Sequence, residues 1–251
     1  MPDSPPPEEE KEDLDSLKGK PSKFEHLMQA ACSIKQTEME GRRRKFEKMP
    51  AFLKATVYYT TKHECTRAQD YFPRLFAFEL VMKKANMEYH RKEFSSAARK
   101  YEEAYSMWRY FKTENPDWAT EGIDDTQLDE VDWKGNNPEE AELIKQHKMT
   151  SLLNVVACNL KQENYKDALD TVNEALKVDP TNRTALERRA KALALPVNAS
   201  VEDYKLAIQD LKNTKSKKPR ILAEIKRLQE QAAKNRQRER NVYGKMFFSN
   251  K

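Results

Sequence analysis

From about residue 78 onward, small and large apolar residues return at fixed intervals along the chain. Phe94 is followed by Ala97, Tyr101 and Ala104; Tyr165 by Ala168, Val172 and Ala175; Tyr204 by Ala207, Leu211 and Thr214. Each set runs aromatic, then alanine, then a large residue, at the same offsets. The fourth position is alanine twice and threonine once. Small residues at fixed places let paired helices approach closely, and large ones fill the spaces between, which is what stacked helix hairpins require. Ala85 supplies a further small residue in the leading helix of the first unit. Pro180 stops the second unit, and a third begins near Asn182 with extra residues around LPVNAS (195–200) lengthening its turn. The pattern predicts an all-α superhelix of three helix–turn–helix units over residues 78–217.

The flanking segments read differently. Residues 1–20 are rich in Pro and acid and predict a disordered tail. Residues 21–77 predict a helical N-terminal extension: Phe24, Leu27, Met28, Ala31 and Ile34 recur at three- and four-residue spacing. Within it, ATVYYTT (55–61) has strand propensity but no evident strand to pair with, so helix is the expectation there too. An acidic insertion at about 112–141, broken by Pro116, Gly122, Gly135 and Pro138, predicts a surface loop with at most a short helix. After the third unit, Ile221, Ile225, Leu228 and Ala232 form the apolar stripe of a basic helix over 218–251. Its expected role is to cover the apolar end of the stack, a basic amphipathic helix also fits a calmodulin target, and Val242, Tyr243, Met246, Phe247 and Phe248 either dock or await a partner.

Composition and charge narrow the function. The 251 residues hold only five glycines, and 35% are charged, which favours helix over sheet and over Gly-rich phosphate loops. A net charge of +5 is too slight to imply nucleic acid. Cys32, Cys65 and Cys158 form no disulfide framework, and a reducing compartment, cytoplasmic or nuclear, is expected. His63 and Cys65 lack a second ligand pair at zinc spacing, so neither metal nor other cofactor is expected. Nothing in MPDSPPPEEEKED resembles a secretory signal, and no run long enough to span a membrane occurs. The basic cluster GRRRK (41–45) and the acid pairs Glu102–Glu103 and Asp124–Asp125 read as solvated surface. With no nucleophile constellation, HExxH or phosphate loop, the chain is expected to be no enzyme.

The segments SLLNVVACNLKQENYKDAL (151–169), ALERRAKAL (185–193) and RERNVYGKMF (238–247) resemble the tetratricopeptide-repeat (TPR) region of large immunophilins and of the aryl-hydrocarbon-receptor-interacting protein. The resemblance covers about residues 78–250, and the long linker between the first two units fits it. It implies a co-chaperone that binds the acidic C-terminal peptide of the 90-kilodalton heat-shock chaperone. The implied carboxylate clamp falls on Asn86, Asn154 and Arg188, while its two lysine positions carry Met82 and Thr184. Lys83 and Arg183 each stand one residue away from those positions, and Lys161 is a further basic candidate in the following turn. One residue turns a helix position by about 100°, so neighbours do not substitute automatically. The isomerase domain of the immunophilins, a β-rich fold, is not expected in the residues preceding the repeats.

Two functions follow as expectations. In the first, the chain is an adaptor or co-chaperone holding a partner peptide in the groove of the stack. In the second, it is a scaffold subunit of a larger assembly, cytoskeletal or ciliary, anchored through its termini. Nucleic-acid binding through the basic end is disfavoured, because Tyr243, Phe247 and Phe248 do not interleave with the Lys and Arg.

Overall fold

The computed structural model describes residues 23–59, 62–115 and 117–248. Four helices open it: α1 (Lys23–Arg42), α2 (Arg44–Lys48), α3 (Ala51–Val57) and α4 (Glu64–Arg67). The first hairpin is α5 (Tyr71–His90) and α6 (Phe94–Tyr105). Then come β1 (Arg109–Thr113), the short α7 (Trp118–Glu121), a 3-10 turn (Asp125–Gln127) and β2 (Leu128–Asp132). Two further hairpins, α8 (Pro138–Lys161) with α9 (Tyr165–Val178) and α10 (Arg183–Ala194) with α11 (Val201–Asn213), lead to α12 (Pro219–Phe248). From α5 to α12 each helix packs on the next, save that α6 passes over the insertion to α8. The result is a helical stack in sequence order.

The recurring positions are the contacts of that stack. Ala97, Ala104, Ala168, Val172, Ala175 and Ala207 are all fully buried, and Tyr101, Tyr204, Leu211 and Thr214 nearly so. Thr214, in the place of the expected alanine, donates its hydroxyl to the Leu211 carbonyl at 2.6 Å, which satisfies the buried polar group.

The first two hairpins close identically. Glu93 N–H donates to Glu88 carbonyl at 3.0 Å, and Asn164 N–H to Asn159 carbonyl at 2.9 Å. Between them Lys92 (φ 65°) and Glu163 (φ 61°) take the left-handed conformation that such six-to-one closures demand. The third hairpin turns instead through the longer segment 195–200 and starts α11 with a reciprocal cap between Ser200 and Asp203.

The insertion differs from its sequence reading. It opens and closes with an antiparallel pair, β1 with β2, in register from Arg109 opposite Asp132 to Thr113 opposite Leu128. Phe111 and Leu128 are buried, and Phe111 N–H donates to Thr56 Oγ1 of α3 at 3.2 Å. Arg109 pairs with Glu130 across the strands and with Glu174 of α9 at 2.6 Å; Lys148 of α8 pairs with Asp132. These long-range anchors, absent from local sequence, pair the strand-favouring RYFKT with the acid-rich LDEVD, whose own strand propensity is weak.

One member of each acid pair, Glu103 and Asp125, is not solvated surface. Glu103 is 3% exposed and bonds His63 and Lys100 at 2.9 Å and Lys62 at 2.6 Å. Burial alone would raise its carboxyl, but those three hydrogen bonds outweigh it and hold it well below the usual carboxylate range. Asp125 accepts the Phe46 N–H at 2.8 Å and the Lys45 N–H, capping α2 from eighty residues away in the chain.

Around the end of α6 lies an aromatic cluster. Trp108 stacks on Trp133 (5.9 Å) and His147 (5.5 Å), and Arg74 covers the Trp133 ring at 4.2 Å. Arg74 donates to the carbonyls of Gln69 (3.0 Å) and Met107 (3.3 Å), and Arg67 to Ser106 Oγ at 2.8 Å. Buried guanidinium groups here satisfy acceptors at a helix C-terminus, where positive charge is favoured.

At the two ends, α1 is helical as its periodicity predicts, but Phe24, Leu27, Met28 and Ile34 are exposed. In α12, Ile221 and Leu228 are buried against α11, and Ile225 and Ala232 pack beside them. The expected disorder of residues 1–20 lies outside the described residues, as do the side chains of Val242, Tyr243, Met246, Phe247 and Phe248.

Candidate peptide-binding cleft

The leading helices of the three hairpins, α5, α8 and α10, share one side of the stack, and α12 closes its far end. Between them lies a cleft of about 640 Å³. Tyr89 enters from α5, Ala157, Leu160 and Lys161 from α8, Glu187, Arg188, Lys191 and Ala194 from α10, and Leu195 from just beyond its end. From α12 come Arg220, Ile221, Glu224, Arg227 and Leu228. A larger hollow, of about 860 Å³, lies away from the stack between α1 and α2 and is lined by Lys35, Arg43, Arg44 and Lys48 among others.

Arg188 is the best-positioned of the residues singled out in the sequence. It lines the cleft partly buried, and its Nη1 donates to the main-chain carbonyl of Leu153 in α8. Burial lowers the guanidinium's pKa, partly offset by Tyr89, Cys158 and Tyr101 nearby. Lys161 also lines the cleft, exposed at the end of α8.

Asn154 and Asn86 stand just outside it. Asn154 is one helical turn before Ala157 and on the same face of α8; Asn86 stands in that relation to Tyr89 on α5. Asn86 accepts a hydrogen bond from the buried Tyr101 hydroxyl at 2.6 Å. Lys83 and Arg183 are exposed, do not line the cleft, and make no ion pair among the described residues. Met82 is nearly buried and takes a weak contact from Ser151 Oγ at 3.8 Å, so that place is filled by packing. The structure thus groups Arg188 and Lys161 in one cleft, leaves Asn86 and Asn154 one helical turn before the cleft residues Tyr89 and Ala157 and not among its lining, and leaves Lys83 and Arg183 apart.

Sequence reasoning missed Tyr89 and Lys191, although each follows a singled-out residue by three positions and helical spacing would have found them. It also missed the contribution of α12, for which no local signal exists. Five cations line the cleft against two carboxylates. Both carboxylates are taken: Glu187 by Arg220 at 3.1 Å, and Glu224 by Arg227 at 2.7 and 2.9 Å. The hydrogen bonds from Arg227 lower the Glu224 pKa. Lys161 and Lys191 make no ion pair among the described residues, so the cleft retains positive charge for an incoming anion.

Other reactive groups are quiet. Cys158 is fully buried, and burial pushes its thiol up to about 12, so it stays protonated at neutral pH. Among the described residues no cluster of three or more His, Cys, Asp or Glu has the arrangement to hold a metal ion, and no helix is long and apolar enough to cross a membrane.

No protein-family model matches the chain. Over 116 residues, 43% of its length, it is 30% identical to the peptidyl-prolyl cis-trans isomerase FKBP4 of Homo sapiens. Over 112 residues it is 30% identical to the Bos taurus protein of that name and 29% identical to the Mus musculus one. The match spans 23% of the length of each of these relatives. For somewhat under half of its length, then, this all-α chain is similar in sequence to part of an immunophilin.

Proposed function

We propose that the chain is a TPR-type adaptor, a co-chaperone that catalyses no reaction and works in the cytoplasm. In this reading it holds an acidic peptide, the C-terminus of the 90-kilodalton heat-shock chaperone, along the leading helices α5, α8 and α10. The observation that carries the reading is the cleft itself: Arg188, Lys161 and Lys191 converge there from two helices, beside Tyr89. Charge-assisted hydrogen bonds to carboxylates contribute about 1.5–3 kcal/mol each, enough for a few of them to hold a short peptide. The recurring alanine spacing and the similarity to FKBP4 support it.

Capture of the purified chaperone on immobilised full-length chain tests it. The double variant Asn154→Ala, Arg188→Ala should lose most of the capture, and added salt should weaken it, because the attraction is between charges. Capture that is unchanged in the double variant contradicts a groove-bound partner.

A scaffold role in a larger assembly is a second reading, and one observation favours it. Phe72, Phe76 and Leu80 lie exposed along one face of α5, and Phe24, Leu27 and Ile34 along α1. Exposed apolar faces of this kind are common at protein–protein contacts. Partners held there would survive the double variant and be lost on Phe72→Ser, Phe76→Ser.

A further inference from the structure

α1 is helical, yet every one of its described side chains is exposed. A helix that buries nothing has only its propensity to hold it, and in proteins most helical stability comes from packing an apolar stripe. α1 carries such a stripe: Phe24 is 69% exposed, Leu27 70%, Met28 49% and Ile34 62%, at helical spacing over about 15 Å. Its sequence sets Lys23, Lys35 and Arg42 against Glu25, Glu38 and Glu40, which is not the cationic face of a helix lying in a membrane surface. A protein surface is the fitting cover.

α5 leaves such a surface open. Phe72 (76% exposed), Phe76 (71%), Leu80 and Met87 follow one another at four, four and seven residues, a stripe about 22 Å long. It is long enough to seat the whole α1 stripe. It is also separate from the cleft, since Phe76 lies about 140° around the helix from Tyr89. In its own chain α1 stands clear of this stripe, for both are exposed.

We infer that two copies of the chain associate by reciprocal exchange, the α1 stripe of each seated on the α5 stripe of the other. Two-fold symmetry makes both contacts at once. Each contact covers the four α1 and four α5 side chains, with roughly 100 Å² apiece still in water. The two contacts together cover about 1,600 Å², the size of an ordinary stable interface, and a single one falls short of it. The inference is independent of peptide capture in the cleft, and it gives the exposed faces of the scaffold reading a definite occupant.

Light scattering of the full chain at tens of micromolar should read twice 29.4 kDa. Phe24→Ser with Leu27→Ser should raise the dissociation constant of the dimer at least about tenfold, and so should Phe72→Ser with Phe76→Ser. Leu206→Ser with Leu222→Ser, equally exposed but on α11 and α12, should not. All the replaced residues are exposed, so folding is retained, and circular dichroism verifies it. Photo-crosslinking then reads what covers α1. Cys32 is exposed one turn past Met28 and Cys158 is buried, so benzophenone-maleimide in a Cys65→Ser background labels α1 alone. In an equal mixture of unlabelled and heavy-isotope chains, cross-links should join α1 of one isotope to α5 of the other.

A monomer at every concentration overturns the inference and leaves the exposed faces to a foreign partner. So does a dimer that tolerates either pair of stripe substitutions. Cross-links that are absent, confined to one isotope, or that join α1 to α1 overturn it as well. None of these readouts involves the cleft, so the adaptor reading stands or falls separately.

Discussion

The hydroxyl of Tyr101 in α6 donates to the side-chain oxygen of Asn86 in α5 at 2.6 Å, and this bond ties together the two helices of the first hairpin beside the cleft. Tyr101 is 3% exposed, whereas Asn86 reaches solvent. The two ends of the bond are therefore unequal. Tyr101→Phe leaves Asn86 free to bond water and should cost about 1 kcal/mol, while Asn86→Ala strands a buried phenol and should cost about 1–3 kcal/mol. Urea unfolding of both variants measures the order. A Phe variant clearly less stable than the Ala variant would contradict it.

Two groups set opposite slopes of stability against pH. Burial among Phe78, Trp108 and Tyr71 pushes the His147 pKa below its ordinary 6.5, with Glu79 opposing. The unfolded chain then binds the proton first, so this contribution is lost as pH falls below about 6.5. The partly accessible Glu102 is raised to about 8, first by burial and then by Asp167, with Arg99 opposing. The folded chain holds that proton longer, so stability falls as pH rises from the ordinary carboxylate range to about 8. Glu102→Gln should remove the second slope and raise stability above pH 8, as read by thermal melts across pH. An unchanged slope in that variant refutes the assignment.

Gly135 sits at φ +82°, in the turn between β2 and α8. A Cβ there would lie 2.7 Å from Glu140 Cβ and 3.1 Å from Ile144 Cδ1. Glu140 also accepts the Asn136 N–H at 2.8 Å, so it is not free to move aside. Gly135→Ala should cost about 1–3 kcal/mol from backbone strain, before the clash is counted. A melting temperature equal to the parent's would show that the turn relaxes without penalty.

What the sequence revealed follows from the range of the forces involved. The stack was legible because Ala97, Ala168 and Ala207 recur within helices, and short-range periodicity encodes which face is buried. The insertion's hairpin was not, because Arg109–Glu174 and Phe111–Thr56 join residues far apart in the chain. The left-handed turns at Lys92 and Glu163 were hidden because neither residue is glycine. In the cleft, Arg188 and Lys161 were found from single helices, but α12 enters only through tertiary packing. Lys83 and Arg183 show the converse: a basic residue one position from the expected place lies about 100° around the helix and outside the cleft.

The most direct measurement is calorimetry of the full chain with a peptide ending in EEVD, at low and at high salt, alongside Arg188→Ala. The account predicts binding at low salt that weakens as salt rises, and at least about a tenfold loss in the variant, or about 1.4 kcal/mol. No binding at low salt, or binding indifferent to both salt and Arg188, would contradict it.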